Sequence, residues 1–168
     1  MKAIKLLLLC IGILILFSCK TNQMILKHEP FIITELNSDF IGTWVFVKRT
    51  DENGNKLDTI WHSQGYYEIA NGPVTTFYKD GTYSMQFTPK NTDTGKWYYN
   101  PDSKSMTLFL LIDPNNWIGR DLIKSGLAKK YANGNYYEEL QFKITKITND
   151  TLEYIDYSNR YMTYKKIK

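Results

Sequence analysis

The chain of 168 residues contains two cysteines and two histidines, and that scarcity removes several kinds of chemistry. A structural metal site needs clustered ligands, and a catalytic histidine needs a nucleophile and an orienting partner. His28 stands alone and His62 has only Trp61 beside it, so neither has such company. There is no G-x-S-x-G, no H-E-x-x-H and no Gly-rich phosphate loop. Glu138-Glu139 is no carboxylate pair, because neighbouring residues of a strand point to opposite faces. No enzyme activity, metal or cofactor is expected. Blocks of like charge are also missing: the net charge of +4 comes from interspersed basic and acidic residues, which gives no footprint for nucleic acid. Long apolar runs are limited to residues 6–17 (LLLLCIGILILF). That run falls short of the roughly 20 residues a helix needs to cross a ~30 Å hydrocarbon core.

What that run does fit is a targeting segment. Lys2 and Lys5 precede it and Ser18-Cys19 closes it, giving a basic region, an apolar region and a small residue before a cut. Leu16-Phe17-Ser18-Cys19 resembles the lipobox of bacterial lipoproteins, in which the cysteine becomes the new N-terminus. The resemblance implies a diacylglycerol thioether and an acylated amine on Cys19, and multiple acyl chains make membrane attachment stable. It further implies a signal peptide at 1–18, a lipidated cysteine and tether at 19–35, and a folded domain at 36–168. The expected location is the bacterial cell envelope. Lys20-Thr21-Asn22-Gln23 holds no acidic run of the kind that directs some lipoproteins to the surface, so an outer membrane site facing the periplasm is expected. Cys10 leaves with the signal, and a single cysteine forms no disulfide within the chain. Loss of Lys2 and Lys5 lowers the charge from +4 to +2.

Residues 20–35 show no period and include Pro30; they read as a spacer whose Phe31-Ile32-Ile33 stretch docks on the domain. From residue 40 turn signals recur, among them Asn53-Gly54, Asp80-Gly81, Asn133-Gly134 and Asn149-Asp150, with aromatic and β-branched runs between them. Alternation places Tyr83, Met85 and Phe87 on one face of 82–88, Met106, Leu108, Leu110 and Ile112 on one face of 105–112, and Leu140, Phe142 and Ile144 on one face of 138–147. Strands are expected near 43–49, 65–70, 74–79, 82–88, 95–100, 105–112, 137–147, 151–157 and 161–167. Asp80-Gly81 predicts a tight type I′ hairpin. Residues 113–130 read as a long loop with a helical turn beginning at Asp113-Pro114, because Gly119 and Gly126 weaken a helix. Asp51 to Asp58 is a polar loop, since its glycine and its twelfth position, His62, do not suit a calcium loop.

Phe40-Ile41-Gly42-Thr43-Trp44 is similar to the G-x-W opening of lipocalins and related calycins. F-x-x-D-G-T-Y at 77–83, Gly95-Lys96-Trp97, Met106-Thr107-Leu108 and Tyr164-Lys165-Lys166-Ile167 follow in order, and the succession resembles the lipocalin-like domains of bacterial lipoproteins. The resemblance implies an all-β domain: a single antiparallel up-and-down β-barrel of about eight to ten strands, with Gly42 and Trp44 as structural residues of its base. The late T-D-Y triplet of typical lipocalins is missing, and the cation that covers the tryptophan falls to Arg160, Lys165 or Lys166.

Such a barrel either fills with side chains or holds one small apolar ligand. Tyr83, Phe87, Trp97, Tyr99, Phe142 and Tyr154 are the candidate lining, with aromatic faces suited to a lipid, quinone or sugar ring. The leading expectation is a membrane-anchored, non-enzymatic module that binds a small apolar or amphipathic molecule. The alternative is an envelope protein–protein interaction module, with the barrel as scaffold and the tyrosine-rich exterior or the 113–130 loop as its contact surface.

Overall fold

The computed structural model describes residues 36–167, so the signal segment, Cys19, His28 and the tether with its Phe31-Ile32-Ile33 stretch lie outside the described residues. Eleven strands and one helix follow in chain order: β1 (Gly42–Thr50), β2 (Thr59–Trp61), β3 (Tyr67–Ile69), β4 (Val74–Phe77), β5 (Thr82–Thr88), β6 (Asn91–Asn100), β7 (Ser105–Ile112), α1 (Trp117–Lys124), β8 (Lys129–Lys130), β9 (Tyr136–Ile147), β10 (Thr151–Ile155) and β11 (Tyr161–Ile167). Eight of them close a ring in the order β1-β4-β5-β6-β7-β9-β10-β11, and β11 pairs back onto β1. Every pairing is antiparallel. The chain therefore forms the expected closed barrel, with β8 as an extra strand on the start of β9 and β2–β3 as a separate hairpin.

The register defines two ends. At the base, residues 37–41 turn tightly, Phe40 N–H donating to the Asn37 carbonyl and Ile41 N–H to that of Ser38. The turn drops Phe40 into the barrel against Phe77, Trp97 and Tyr99. The mouth lies where β1 ends, β4 begins, β5 turns into β6, β7 ends, β9 begins and β10 turns into β11.

Period-two patterning builds the wall. Trp44, Phe77, Tyr83, Trp97, Met106, Leu108, Ile144, Leu152, Met162 and Tyr164 point inward as one buried cluster, removing a large apolar area from water. Three irregularities break the period. β1 carries a bulge between Phe46 and Lys48, β5 carries one between Gln86 and Thr88, and the β9–β10 ladder shifts between Glu153 and Tyr154, skipping Thr145. A bulge adds one residue and shifts every later side chain by one face.

Three local expectations are corrected. The β4–β5 turn has positive φ at Gly81 (81°) and at no other residue of the turn, and Tyr78 N–H bonds the Thr82 carbonyl while Gly81 N–H bonds that of Tyr78. It is a type I turn closed by a left-handed glycine, since type I′ would need Asp80 at positive φ as well. Residues 65–70 give the short β3, which pairs outside the barrel with a strand at 59–61 that alternation had not marked. Residues 113–130 hold a true helix, α1, capped by Asn116, whose side chain accepts from Gly119 N–H at 2.6 Å. Asn116 rather than Asp113-Pro114 starts it, because Asn supplies the side-chain acceptor that a first turn needs.

Candidate functional site

The base is sealed. Trp44 is fully buried and its Nε1 donates to the Phe40 carbonyl at 2.7 Å. Of the three cations named as covering groups, Lys166 takes the role: its Nζ lies 4.9 Å from the centre of the Trp44 ring. Gly42 has φ +129°, a region that disfavours other residues, and a Cβ there would approach Lys166 Cε to 2.9 Å. The glycine thus makes room for the stem of the lysine that covers the tryptophan.

Above this floor is an apolar cavity of about 30 Å³ lined by Trp44, Phe77, Met85, Met106, Phe142 and Tyr154 among others. That volume holds a water molecule or two, far less than the ~300 Å³ of a typical small-molecule site. Broader hollows, such as one among residues 90–94, 111–116 and 134–136, lie open at the rim.

The candidate lining residues separate into three groups. Phe142 and Tyr154 line the cavity, ring centres 5.0 Å apart. Tyr83, Trp97 and Tyr99 pack lower and to one side around Phe40 and Phe77. Tyr83 and Trp97 are almost fully buried, and neither the Tyr83 hydroxyl nor Trp97 Nε1 has a hydrogen-bond partner among the described residues. Burial, with the nearby Asp93, Tyr131 and Glu138, raises the Tyr83 phenol well above its ordinary value, and burial also raises the Asp93 carboxyl. Phe87 is corrected: the β5 bulge leaves it at the rim, 49% exposed, outside the interior set.

The polar part of the site joins Tyr154 of the candidate lining to Tyr164, Arg49 and Glu68, which were not among the candidates. Tyr154 and Tyr164 stack with ring centres 5.6 Å apart and hydroxyls 3.2 Å apart; burial is the main cause that raises both phenols. The Arg49 guanidinium lowers both in part, placing a positive charge near these hydroxyls. Arg49 Nε points at Met162 Sδ, 3.0 Å away, and its Nη1 donates to Glu68 Oε1 at 2.9 Å. Glu68 belongs to β3, and His62, just past β2, brings its Nε2 within 3.4 Å of the other carboxylate oxygen. The hydrogen bond from Arg49 holds the Glu68 carboxyl below its ordinary range.

The β2–β3 hairpin therefore lies over one side of the mouth. Its inner face presents Ile60, which is buried, and Glu68; its outer face presents Trp61, Tyr67 and Ile69, all exposed. It shares no ladder with the barrel sheet. Beyond Ile60, the Arg49–Glu68 ion pair is its clearest tie to the wall.

Among the described residues no three His, Cys, Asp or Glu side chains are placed to hold a metal ion, and no helix is long and apolar enough to cross a membrane. Two solved structures are similar to the chain. One is a lipocalin-like protein from Bacteroides uniformis ATCC 8492, 15% identical, TM-score 0.46, covering 77% of this chain and 99% of that one. The other is an uncharacterized protein from Bacteroides eggerthii DSM 20697, 14% identical, TM-score 0.46, covering 76% of this chain and 99% of that one. No family model matches the sequence, and no curated protein matches it.

Proposed function

We propose that this chain is a non-enzymatic binding module of the bacterial cell envelope, held at a membrane by lipid on Cys19, whose barrel takes up one small amphipathic molecule through its mouth. One observation carries the reading. The apolar cavity ends at the stacked Tyr154–Tyr164 pair with Arg49 nearby, beneath a hairpin outside the barrel's hydrogen-bonded sheet. The apolar part of a ligand would lie against Met85, Met106, Leu108 and Phe142, and its polar group would meet the hydroxyls and the guanidinium.

The cavity as it stands admits no such molecule, so uptake requires the β2–β3 hairpin to swing outward. The linkage is one part-buried pair, Glu68 43% and Arg49 11% exposed, so it holds by more than the ~0–1 kcal/mol of a surface pair. Opening leaves the Arg49 guanidinium to the polar group of an entering molecule. Met85, Met106 and Met162 supply adaptable side chains that repack around an added group, as methionine does readily.

The test is uptake of a fluorescent polyene fatty acid by the full chain, paired with native mass spectrometry of protein from its own cells. Glu68→Ala, which releases the hairpin, should raise probe affinity, and Met85→Trp, which fills the cavity, should abolish uptake without unfolding the barrel. Absence of any bound molecule from native protein, together with no uptake by Glu68→Ala, would mean that the interior is a closed core.

A further inference from the structure

The two ends of the barrel differ in what they show to solvent. The base turns at residues 101–104 and 148–150 are polar, and the base exposes only two large side chains among the described residues, Tyr78 in the 78–81 turn and Ile167 at the end of β11, with no exposed tryptophan. At the mouth each of four projections lifts an apolar aromatic group outward. The β2–β3 hairpin exposes Trp61 (73%) and Tyr67, the end of β5 exposes Phe87, α1 exposes Trp117 (69%) and Ile118, and the β10–β11 turn exposes Tyr157 (94%). The two tryptophans at the base and core, Trp44 and Trp97, are fully buried, so both exposed tryptophans belong to the rim.

Strand order fixes how these groups are arranged. The hairpin sits between β1 and β4, Phe87 between β5 and β6, α1 between β7 and β9, and Tyr157 between β10 and β11. In a ring of eight strands those four positions are two strands apart, one on each quarter of the mouth. Exposed aromatic groups therefore stand on all four quarters of the opening. A protein partner of ordinary size covers one contiguous patch, whereas a flat, laterally fluid surface meets all four at once. Trp and Tyr are the side chains that favour the headgroup level of a bilayer. The α1 side adds Arg120 and Lys124 near Trp117, with Asp121 between them, and Lys130 in β8, cations suited to anionic headgroups; Lys129 is already paired with Glu139.

We propose that the mouth of the barrel docks on a phospholipid bilayer, with Trp61 and Trp117 at headgroup level on opposite sides of the opening. The proposal rests on strand order and exposure, and it holds whether or not the interior takes up a ligand. It is also compatible with attachment through Cys19. Residues 19–35 precede the base, and a chain of that length reaches at most about 55–60 Å at ~3.3–3.6 Å per residue, longer than the ~40 Å of a twelve-residue strand such as β9. An anchor at Cys19 thus leaves the body free to turn its mouth toward the same bilayer.

The test uses the full chain with vesicles of phosphatidylcholine and phosphatidylglycerol carrying brominated acyl chains, read by tryptophan emission and by flotation. Every variant carries the same residues 1–35, so flotation reports attachment by any route and quenching reports the mouth. Docking predicts a blue shift and quenching of the emission. Most of the quenching should be lost in W61F/W117F, while near-ultraviolet circular dichroism shows the barrel intact. Arg120→Glu with Lys124→Glu should weaken it further in proportion to the phosphatidylglycerol content. Flotation without quenching, or quenching that survives W61F/W117F, overturns the proposal. So does a dimer, seen in sedimentation without vesicles, that the same two substitutions dissolve, since the occupant of the rim would then be a second copy.

Discussion

Lys166 holds its ammonium 4.9 Å above the ring of Trp44 and donates to the Asp39 carbonyl at 3.0 Å, tying the last strand to the segment that enters the base. Replacing Lys166 with Ala removes a cation–π contact and a charge-assisted hydrogen bond, and should cost roughly 1–2 kcal/mol. Lys166→Met keeps the stem over the ring and should recover part of that loss. Trp44→Ala leaves a cavity in the floor and should cost roughly 3–5 kcal/mol. Urea denaturation monitored by far-ultraviolet circular dichroism would rank the three, and a Lys166→Ala variant as stable as the parent would show that the pair is incidental.

Gly95 in β6 faces the carbonyl of Phe109 in the neighbouring β7 so closely that a Cβ would stand 2.0 Å from its oxygen. No side chain gives way there, because the obstacle is backbone. Gly95→Ala should therefore destabilise the barrel by about 2–3 kcal/mol through displacement of the β6–β7 ladder. Gly54, with open space where its Cβ would be, sits at φ +84° in an exposed turn, and Gly54→Ala should cost about 1 kcal/mol from backbone strain alone. A smaller loss at 95 than at 54 would contradict the packing described.

The hairpin over the mouth should respond to acid. The carboxyl of Glu68 titrates lower in the folded chain than in the unfolded one, chiefly because Arg49 donates to it. Its contribution to holding the hairpin is fully present above the unfolded value of about 4.3 and is lost as pH falls through the depressed folded value. The methyl resonances of buried Ile60 should move toward exposed positions in that acid range. Glu68→Gln should show the exposed position at neutral pH and lose the acid transition attributable to this carboxylate. An unchanged Ile60 signal in Glu68→Gln would mean that the hairpin is held by packing alone.

Buried phenols set the alkaline limit. Tyr83, Tyr154 and Tyr164 are raised by burial, and Tyr131 is pushed up to about 12 by burial together with Tyr137 and Glu139. In the unfolded chain each would ionise near 10, so the unfolded state sheds protons first and stability falls as pH rises above that value. Ultraviolet titration should show a late group of tyrosines whose ionisation coincides with unfolding. Tyr83→Phe deletes a buried hydroxyl that has no protein partner and should be neutral or stabilising by up to about 1 kcal/mol, whereas Tyr164→Phe breaks the bond to Tyr154 and should cost about 1 kcal/mol.

Much of the barrel was legible from alternation and turn chemistry. Runs such as 105–112 and 138–144 keep period two, and their inward residues Met106, Leu108, Leu140 and Phe142 face one another across β7 and β9 as that pattern demands, until the ladder shifts at Thr145. The placement of Gly42 and Trp44 at the base was legible from the G-x-W opening. What stayed hidden followed from events that break a period. Phe87 was assigned inward because nothing in TYSMQFT marks the bulge that carries it to the rim. Arg49 carries no motif that marks it, and the bulge before Lys48 brings it into register with Met162, near Tyr154 and Tyr164. β2 and β8 are too short for periodicity to register, and α1 is specified by its cap at Asn116 more than by an apolar stripe, since Trp117 and Ile118 remain in solvent.

Ring closure has a consequence in time. β1 finds one backbone partner in β4 and the other in β11, where Thr43 lies against Ile167 at the far end of the chain. The first strand made is completed by the last, and pairings so distant along the chain are slow to form, on the order of milliseconds to seconds. Until residue 167 has emerged, no part of the chain can shut the barrel. The polypeptide must stay open, with both edges of the growing sheet unpaired, for as long as synthesis lasts.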